Sequence, residues 1–387
     1  MTDHRPTPRW LWVHPHARSA LASGDVGTIV ACYRRLTGLS QAALGQQLGY
    51  DPSYISLLER GQRRITDHGS LSHLSRALAI PPHALGITTE DDADFRAALQ
   101  FGDSTVRLAE TARQAGRATE AAEELWPLTA RLEARLAEGR VDAPTIALLA
   151  RARVTLGTSL GHVLTEEQLA TAARWTGKAL TLARHLDDSE LLHHVLTMHG
   201  NELRKISRTG AAIARLHHAL ALSTSPVQRG FTLPLLARAA GEHGDADLFD
   251  RTIADAEHTL AETGNNGILL TPYSLREIRL RGLLNTGRAH QAAQLAHRPI
   301  DTTTAPAPQW GAIERITTAN AFMALGDHQS ASDALTRALD IAHRHRLPHQ
   351  IQRILRTTTA PHQSDLHHQA GAALQDLRQL TVPGRGL

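Results

Sequence analysis

Apolar residues recur along the chain at spacings of three and four, the mark of helices with one buried side. In "SQAALGQQLGYDPSYISLLERGQRR" (40–64), Leu44, Leu48, Ile55 and Leu58 fall on two short helical patterns separated by Gly49. Ser40 is placed to cap the first helix, and Gly49 can end it in a left-handed conformation at no steric cost. Asp51 caps the second, with Pro52 at the first helical position, where a missing N–H does no harm. That helix runs to about Arg60 and stops at Gly61. Two helices joined by so tight a turn must cross steeply, and Gly45 suits the point of closest approach.

Beyond residue 104 the pattern becomes a series of helix pairs. The clearest mark is Ala-x6-Ala in the second helix of a pair: Ala172/Ala179, Ala212/Ala219 and Ala331/Ala338. First helices end at turns such as "SRTG" (207–210), "EHGD" (242–245), "NTGR" (285–288) and "LGDH" (325–328). Six pairs are predicted, over 102–138, 144–186, 190–223, 229–263, 270–300 and 309–346. "DTTTAPAPQ" (301–309) reads as a loop, "RTTTAPHQSD" (356–365) as a break before a final helix (366–380), and "TVPGRGL" as a frayed tail.

Composition agrees with an all-helical chain. Hydrophobic content is 42% with only 4% aromatic, so cores must be built from Ala, Leu, Val and Ile. One cysteine, Cys32, excludes an internal disulfide framework and fits a reducing compartment. No apolar run reaches ~18 residues, and "WLWV" (10–13) is too short for a signal-peptide core. The net charge of +3 matters only once divided: residues 1–88 hold nine Arg against five acidic residues, while the remainder is near balance. An anionic partner is therefore expected at the N-terminal end. The 24 histidines lack metal-ligand spacing, so neither a metal nor a cofactor is expected. No nucleophile elbow, phosphate loop or paired metal motif is present, and the chain is not expected to be an enzyme. Cys32, on a helix of the N-terminal domain, reads as a buried structural thiol.

Ser40-Gln41, Gly49, Ile55, Leu58, Glu59-Arg60-Gly61 and the closing "RALAIPPHAL" form an ordered set that resembles the Xre/lambda-repressor-like helix-turn-helix family over residues 26–87. The upstream "ARSALASGDVGTIVACYRR" is similar to the lead-in of actinobacterial members with long helical C-terminal regions. The resemblance implies a second helix lying in the major groove of double-stranded DNA. With Ile55 and Leu58 inward, Ser53, Tyr54, Ser56 and Leu57 face DNA or its edge. Ser53 would donate or accept at a base edge, Leu57 touch a thymine methyl, and Tyr54 meet a phosphate. Gln41 resembles the family's backbone-contacting Gln, and Arg60, Arg63 and Arg64 would clamp phosphates. The family often has long polar residues where this chain has Pro52 and Leu57, which shifts specificity towards thymine methyls and DNA shape.

The helix pairs resemble degenerate tetratricopeptide repeats, the sixth copy, "ANAFMALGDHQSASDALTRALDIA", most closely. Stacked pairs of this kind bury a continuous core and leave a concave groove lined by the first helix of each pair. The repeat register points Asn201, Arg238, Arg281 and Asn320 into that groove, with Arg204, Lys205 and Asn285 one turn on. Asn can bond a peptide backbone in both directions, and Arg can pair a carboxylate or phosphate bidentately. Glu202 and Glu277 would neutralise nearby basic groups.

The expected architecture is thus all-α: a five-helix Xre-type helix-turn-helix domain followed by a tetratricopeptide-like α-solenoid. Expected boundaries are a lead-in (1–25), the DNA-binding domain (26–88), a connecting segment (89–104), the repeats (105–346), and a capping helix with tail (347–387). The expected function is a sequence-specific, homodimeric transcriptional regulator, cytoplasmic and bacterial, nucleoid-associated when bound to DNA. Its repeats would sense a ligand. Likeness in architecture to peptide-sensing quorum regulators puts a short signalling peptide first and a small anionic ligand second, with no membrane partner. The alternative is a DNA-tethered interaction module whose repeats bind another protein.

Overall fold

The computed structural model describes residues 8–87, 90–138, 141–265, 267–301, 304–359 and 363–381. These residues hold nineteen α-helices and no strand. Among them no helix is long and apolar enough to cross a membrane. The chain divides into two compact units, one of Met1–Arg107, Glu124–Arg153 and Lys178–Leu191, the other of Leu108–Glu123, Val154–Gly177 and Leu192–Leu387.

In the first unit, α1 (Pro15–Ala22), α2 (Val26–Thr37), α3 (Gln41–Leu48), α4 (Pro52–Glu59) and α5 (His68–Ala77) precede a 3-10 turn at Pro82–Leu85. Side chains set the helix starts. Asp25, Ser40, Asp51 and Asp67 each accept from a backbone N–H in the first turn of α2, α3, α4 and α5. Gly49 ends α3 at φ 72°, as the sequence predicts. Ile29, Leu44, Ile55, Leu58 and Leu74 share one core, each fully buried aliphatic contributing about 1.5–3 kcal/mol.

The expected lead-in proves to be part of that core. Leu11, Trp12 and Ala17 are buried in it, and Trp12 Nε1 donates to the Leu78 carbonyl at 2.9 Å. Two glycines set the helix approach. A Cβ at Gly45 would lie 2.6 Å from the Tyr50 carbonyl oxygen, and one at Gly27 only 2.2 Å from that of Leu58. Gly27 therefore lets α2 seat against the end of α4, a role the sequence did not reveal.

The remaining helices come largely in pairs: α6 (Glu90–Gln114) with α7 (Ala118–Glu138), α8 (Ala143–Val163) with α9 (Leu169–Ala183), and α10 (Ser189–Lys205) with α11 (Thr209–Leu222). Then follow α12 (Pro226–His243) with α13 (Ala246–Thr263), α14 (Pro272–Asn285) with α15 (Ala289–Ala296), and α16 (Pro308–Ala324) with α17 (His328–Arg344). All six signature alanines are fully buried. In the second unit α12, α14, α16 and α18 (Pro348–Thr357) pack side by side in series.

Two expectations need correction. The acidic stretch before residue 105, read as a connection leading into helix, is helical already from Glu90, because its polar run continues into the apolar period of α6. The C-terminal region holds two helices, α18 and α19 (Ser364–Thr381), where the sequence predicts one. Ile351 and Ile354 pin α18 into the core of the last repeats, so it extends the stack. Its Gln352 also reaches the segment before α9, accepting from the Glu166 backbone N–H at 2.7 Å and donating to Glu167 Oε1 at 2.9 Å. The expected frayed tail, from 382 onward, lies outside the described residues.

Replacing Gly27 by Ala is expected to cost about 1–3 kcal/mol, because the Leu58 backbone cannot yield without moving α4. Gly69→Ala, whose Cβ meets only a side-chain oxygen at 3.6 Å, should be neutral or stabilising. Thermal melting of the two variants separates them; equal midpoints would contradict the close approach.

Candidate DNA interface and ligand cavity

The sequence places Ser53, Tyr54, Ser56 and Leu57 on the outer side of α4, and the structure agrees: Ile55 and Leu58 are buried, Ser53 is exposed, and the other three are half-buried. Arg60, Arg63 and Arg64 are all exposed just beyond the helix. The structure adds constraints. Ser53 Oγ donates to Asp51 Oδ1 at 2.5 Å, so in this arrangement it is free only to accept. Tyr54 stacks on Tyr50, ring centroids 4.9 Å apart, while the Arg63 guanidinium lies 5.6 Å from the Tyr54 ring centre. Tyr54 and Arg63 thus form one cationic edge. Arg60 Nε donates to the Ser56 carbonyl, holding that side chain along its own helix.

An ion pair that the sequence did not signal fixes the attitude of α4. Glu59 accepts from Arg34 Nε at 2.6 Å and Nη2 at 2.9 Å, tying α4 to α2 bidentately. It also accepts from Gln41 Nε2 at 2.7 Å, so the Gln at the start of α3 is oriented by the recognition helix itself. Burial pushes the Glu59 carboxyl up, but hydrogen bonds from Arg34 and Gln41 outweigh it and hold its pKa low. Cys32 is buried as expected; loss of water around it pushes its thiol up, which suits an unreactive group.

The second unit contains a cavity enclosing about 930 Å3 of space, its open mouth included. First helices line it, as the repeat register predicts: Asn201, Arg204, Lys205, Arg238 and Arg281 all contribute. Two expected residues do not. Asn285 is exposed on the last turn of α14, and Asn320 accepts from Thr357 Oγ1 at 3.0 Å, covered by α18. The sequence also missed Arg113 on α6 and Arg353 on α18, which line the same space. Phe231, Leu235, Leu269, Trp310 and Ile313 supply its apolar wall.

Four cations of the cavity have carboxylate partners. Arg113 pairs with Glu110, Arg204 with Glu242 at 2.6 Å, Lys205 with Glu202 at 2.8 Å, and Arg281 with Glu277 at 2.5 Å. Glu202 and Glu277 therefore neutralise neighbours, as expected. Burial raises the Glu110 carboxyl, but Arg113 overrides it and holds the pKa near about 2. Arg238 and Arg353 are different. Among the described residues neither has an ion pair. Arg238 is 8% exposed, its guanidinium lies 5.4 Å from the Trp310 ring centre, and its Nε has no hydrogen-bond partner. Arg353 donates only to the neutral oxygens of Gln350 at 2.8 Å and Thr317 at 3.5 Å. Burial, then the nearby Arg204 and Arg281, push Arg238 down to about 9, which leaves it charged at neutral pH. A buried charge without a direct partner costs several kcal/mol, so this pair of arginines suits an anion.

Residues 33–85 match a family model described as Helix-turn-helix. The N-terminal unit thus carries a helix-turn-helix DNA-binding domain, followed along the chain by helical repeats. No curated protein matches the chain. Among solved structures, it is similar to BtubC from P. vanneervenii, at 16% identity over 60% of this chain and 91% of that one, with a TM-score of 0.37. It is similar also to a circular tandem repeat protein with novel repeat topology, at 14% identity over 96% and 94%, with a TM-score of 0.23. Both likenesses are faint.

Arg63→Ala and Arg64→Ala should weaken binding to all duplexes alike and lower the salt slope by about one each. Titration of two unrelated duplexes at several salt concentrations reads this; a change in sequence preference would remove these residues from the phosphate set. Stability should also fall on acidification. Burial holds His193 and His349 down at about 4 in the folded chain, against an ordinary 6.5. Between those values the unfolded chain binds protons that the folded chain refuses, so stability is lost as pH drops through that window. The thermal midpoint should therefore be lower at pH ~5 than at pH ~7, and a His193→Gln change should flatten the slope.

Proposed function

We propose that this protein is a ligand-responsive transcriptional regulator: the helix-turn-helix unit binds specific DNA sequences as a homodimer, and the repeat region senses a ligand in its cavity. One observation carries the sensing half of this reading. The repeats hold an enclosed space with two cations left without carboxylates, and a purely structural stack has no use for such a space. The exposed Arg60, Arg63 and Arg64 beside α4 support the DNA half. A dimer would set two recognition helices one DNA turn apart, ~34 Å. The ligand alters DNA binding only if it favours one arrangement of the protein over another.

Tetratricopeptide ancestry and peptide-based quorum sensing rest on sequence resemblance. On this reading a short peptide would enter with an anionic end, towards Arg238 and Arg353. Repeats that dock a protein partner would call for a broad open apolar surface, so the lined cavity favours the small-ligand reading. On this reading the chain carries no catalytic activity and works in the bacterial cytoplasm.

Genomic fragments retained by the purified protein should share one sequence element. A duplex carrying two half-sites one turn apart should bind more tightly than one carrying a single half-site, with a mobility in gels that indicates two copies. Retention without any shared element, or equal affinity for single and paired sites, would refute specific dimeric binding.

A further inference from the structure

The cavity states the chemistry of what it takes. Six arginine and lysine side chains line it together with one carboxylate, Glu110; four of the six are ion-paired, three of them to carboxylates outside the lining, which leaves Arg238 and Arg353. Both belong to first helices, α12 and α18, and both line the same space. The Arg238 guanidinium lies 5.4 Å from the Trp310 ring centre, a contact that uses none of its N–H donors in a hydrogen bond to an acceptor. Gln309, beside Trp310 and 3% exposed, has its Oε1 without any hydrogen-bond partner. Buried polar atoms of this kind mark a missing partner. Apolar side chains fill the rest of the wall, so a fully hydrated inorganic ion would leave most of the surface unmatched.

Building on the functional reading above, we propose that the cavity binds a compact amphiphilic acid. Its carboxylate pairs with Arg238 and Arg353, its apolar body lies against Trp310, Phe231 and Leu235, and a hydrogen-bond donor on it meets Gln309 Oε1. The carboxylate belongs either to a free organic acid or to the C-terminus of a short apolar peptide. In both cases the protein reads the same group, by bidentate pairing in a place from which water is largely excluded. Arg238 repels Arg353, and Glu242 and Glu277, which attract both, are already ion-paired with Arg204 and Arg281, so the acid gives both arginines a direct partner.

The test uses the full chain, dialysed free of small molecules. Phenylbutyrate and its primary amide form one pair of probes; the tripeptide Leu-Leu-Phe with a free or an amidated C-terminus forms the other. At millimolar concentration at least one acid should raise the thermal midpoint while its amide does not, and the pair that responds identifies the source of the carboxylate. Arg238→Gln and Arg353→Gln should each weaken that acid about tenfold or more. Without ligand, Arg238→Met should melt at or above the wild-type temperature, since it removes an uncompensated buried charge. Equal response to acids and amides, no response to either acid, or undiminished binding by both Gln variants overturns the proposal. So does a fall in the midpoint of unliganded Arg238→Met and Arg353→Gln, which would make these arginines structural. DNA retention by the wild type is measured in parallel. An acid that binds without changing retention upholds the ligand class and overturns the coupling to DNA. DNA binding by a protein that ignores both acids leaves the regulator and overturns the ligand class.

Discussion

Arg238 and Arg353 lie in the wall of a cavity, and no carboxylate in the described chain pairs with either. Charges in such a place are tolerated only when a partner is close, because the interior screens them poorly. Glu110, Glu202 and Glu277 each pair with one basic neighbour and Glu242 with two, and all come from first helices, as do the cations they serve. The side of a first helix that faces away from its pair is therefore polar and charged, yet turned inward. Its ion pairs also cross between helices: Arg204 on α10 reaches Glu242 on α12, and Arg281 on α14 lies 3.5 Å from the same carboxylate. The charge network thus staples successive repeats and shapes the binding space at once.

The helix-turn-helix unit obeys a different constraint, steric where the repeats are electrostatic. Its recognition helix is held by a bare backbone approach at Gly27 and by one bidentate pair, Arg34 to Glu59. Glu59 sits at the last turn of α4, and Gln41 at the start of α3. A single carboxylate thereby fixes the angle of the helix and the orientation of a side chain suited to DNA backbone contact. The outer side of α4 stays free because its inner side is secured so economically, by two buried aliphatics and a cap at each end.

Much of this was legible in the sequence, for reasons that can be named. Caps, turn glycines and Pro52 act within four residues of where they stand, so Ser40, Gly49 and Asp51 could be read locally. The paired alanines revealed the repeats because close helix packing demands small residues at fixed spacing. The groove register held for Asn201, Arg204, Lys205, Arg238 and Arg281, which lie in the middle of the series. It failed at Asn320, where α18 packs over the expected groove face, and at Asn285, where the helix runs out into solvent. The failure at Asn320 follows from not reading a helix in the residues just before the expected break at 356–365. The run "PHQIQRILRT" carried helical spacing in Ile351, Ile354 and Leu355 that would have signalled α18. Gly27 and the Arg34–Glu59 pair were out of reach for another reason: each depends on contacts 25 or more residues away in sequence.

The lock between α18 and the segment before α9 shows why a ligand in this cavity can have consequences. Gln352 and Arg356 hold Glu166 and Glu167 across 185 or more residues of sequence, and His349 Nδ1 stands 3.1 Å from Glu166 Oε1. Arg353 is on that same helix, between the locking residues Gln352 and Arg356, and its guanidinium lines the cavity. On the proposed reading, an anion drawing Arg353 inward would act on α18, the helix that carries these locking side chains. The exposed Arg356–Glu166 pair contributes little by itself, whereas Ile351 and Ile354 hold α18 in the core. Under the proposal, a charge-assisted contact at Arg353 would change the repeats only if it favoured one position of α18 over another.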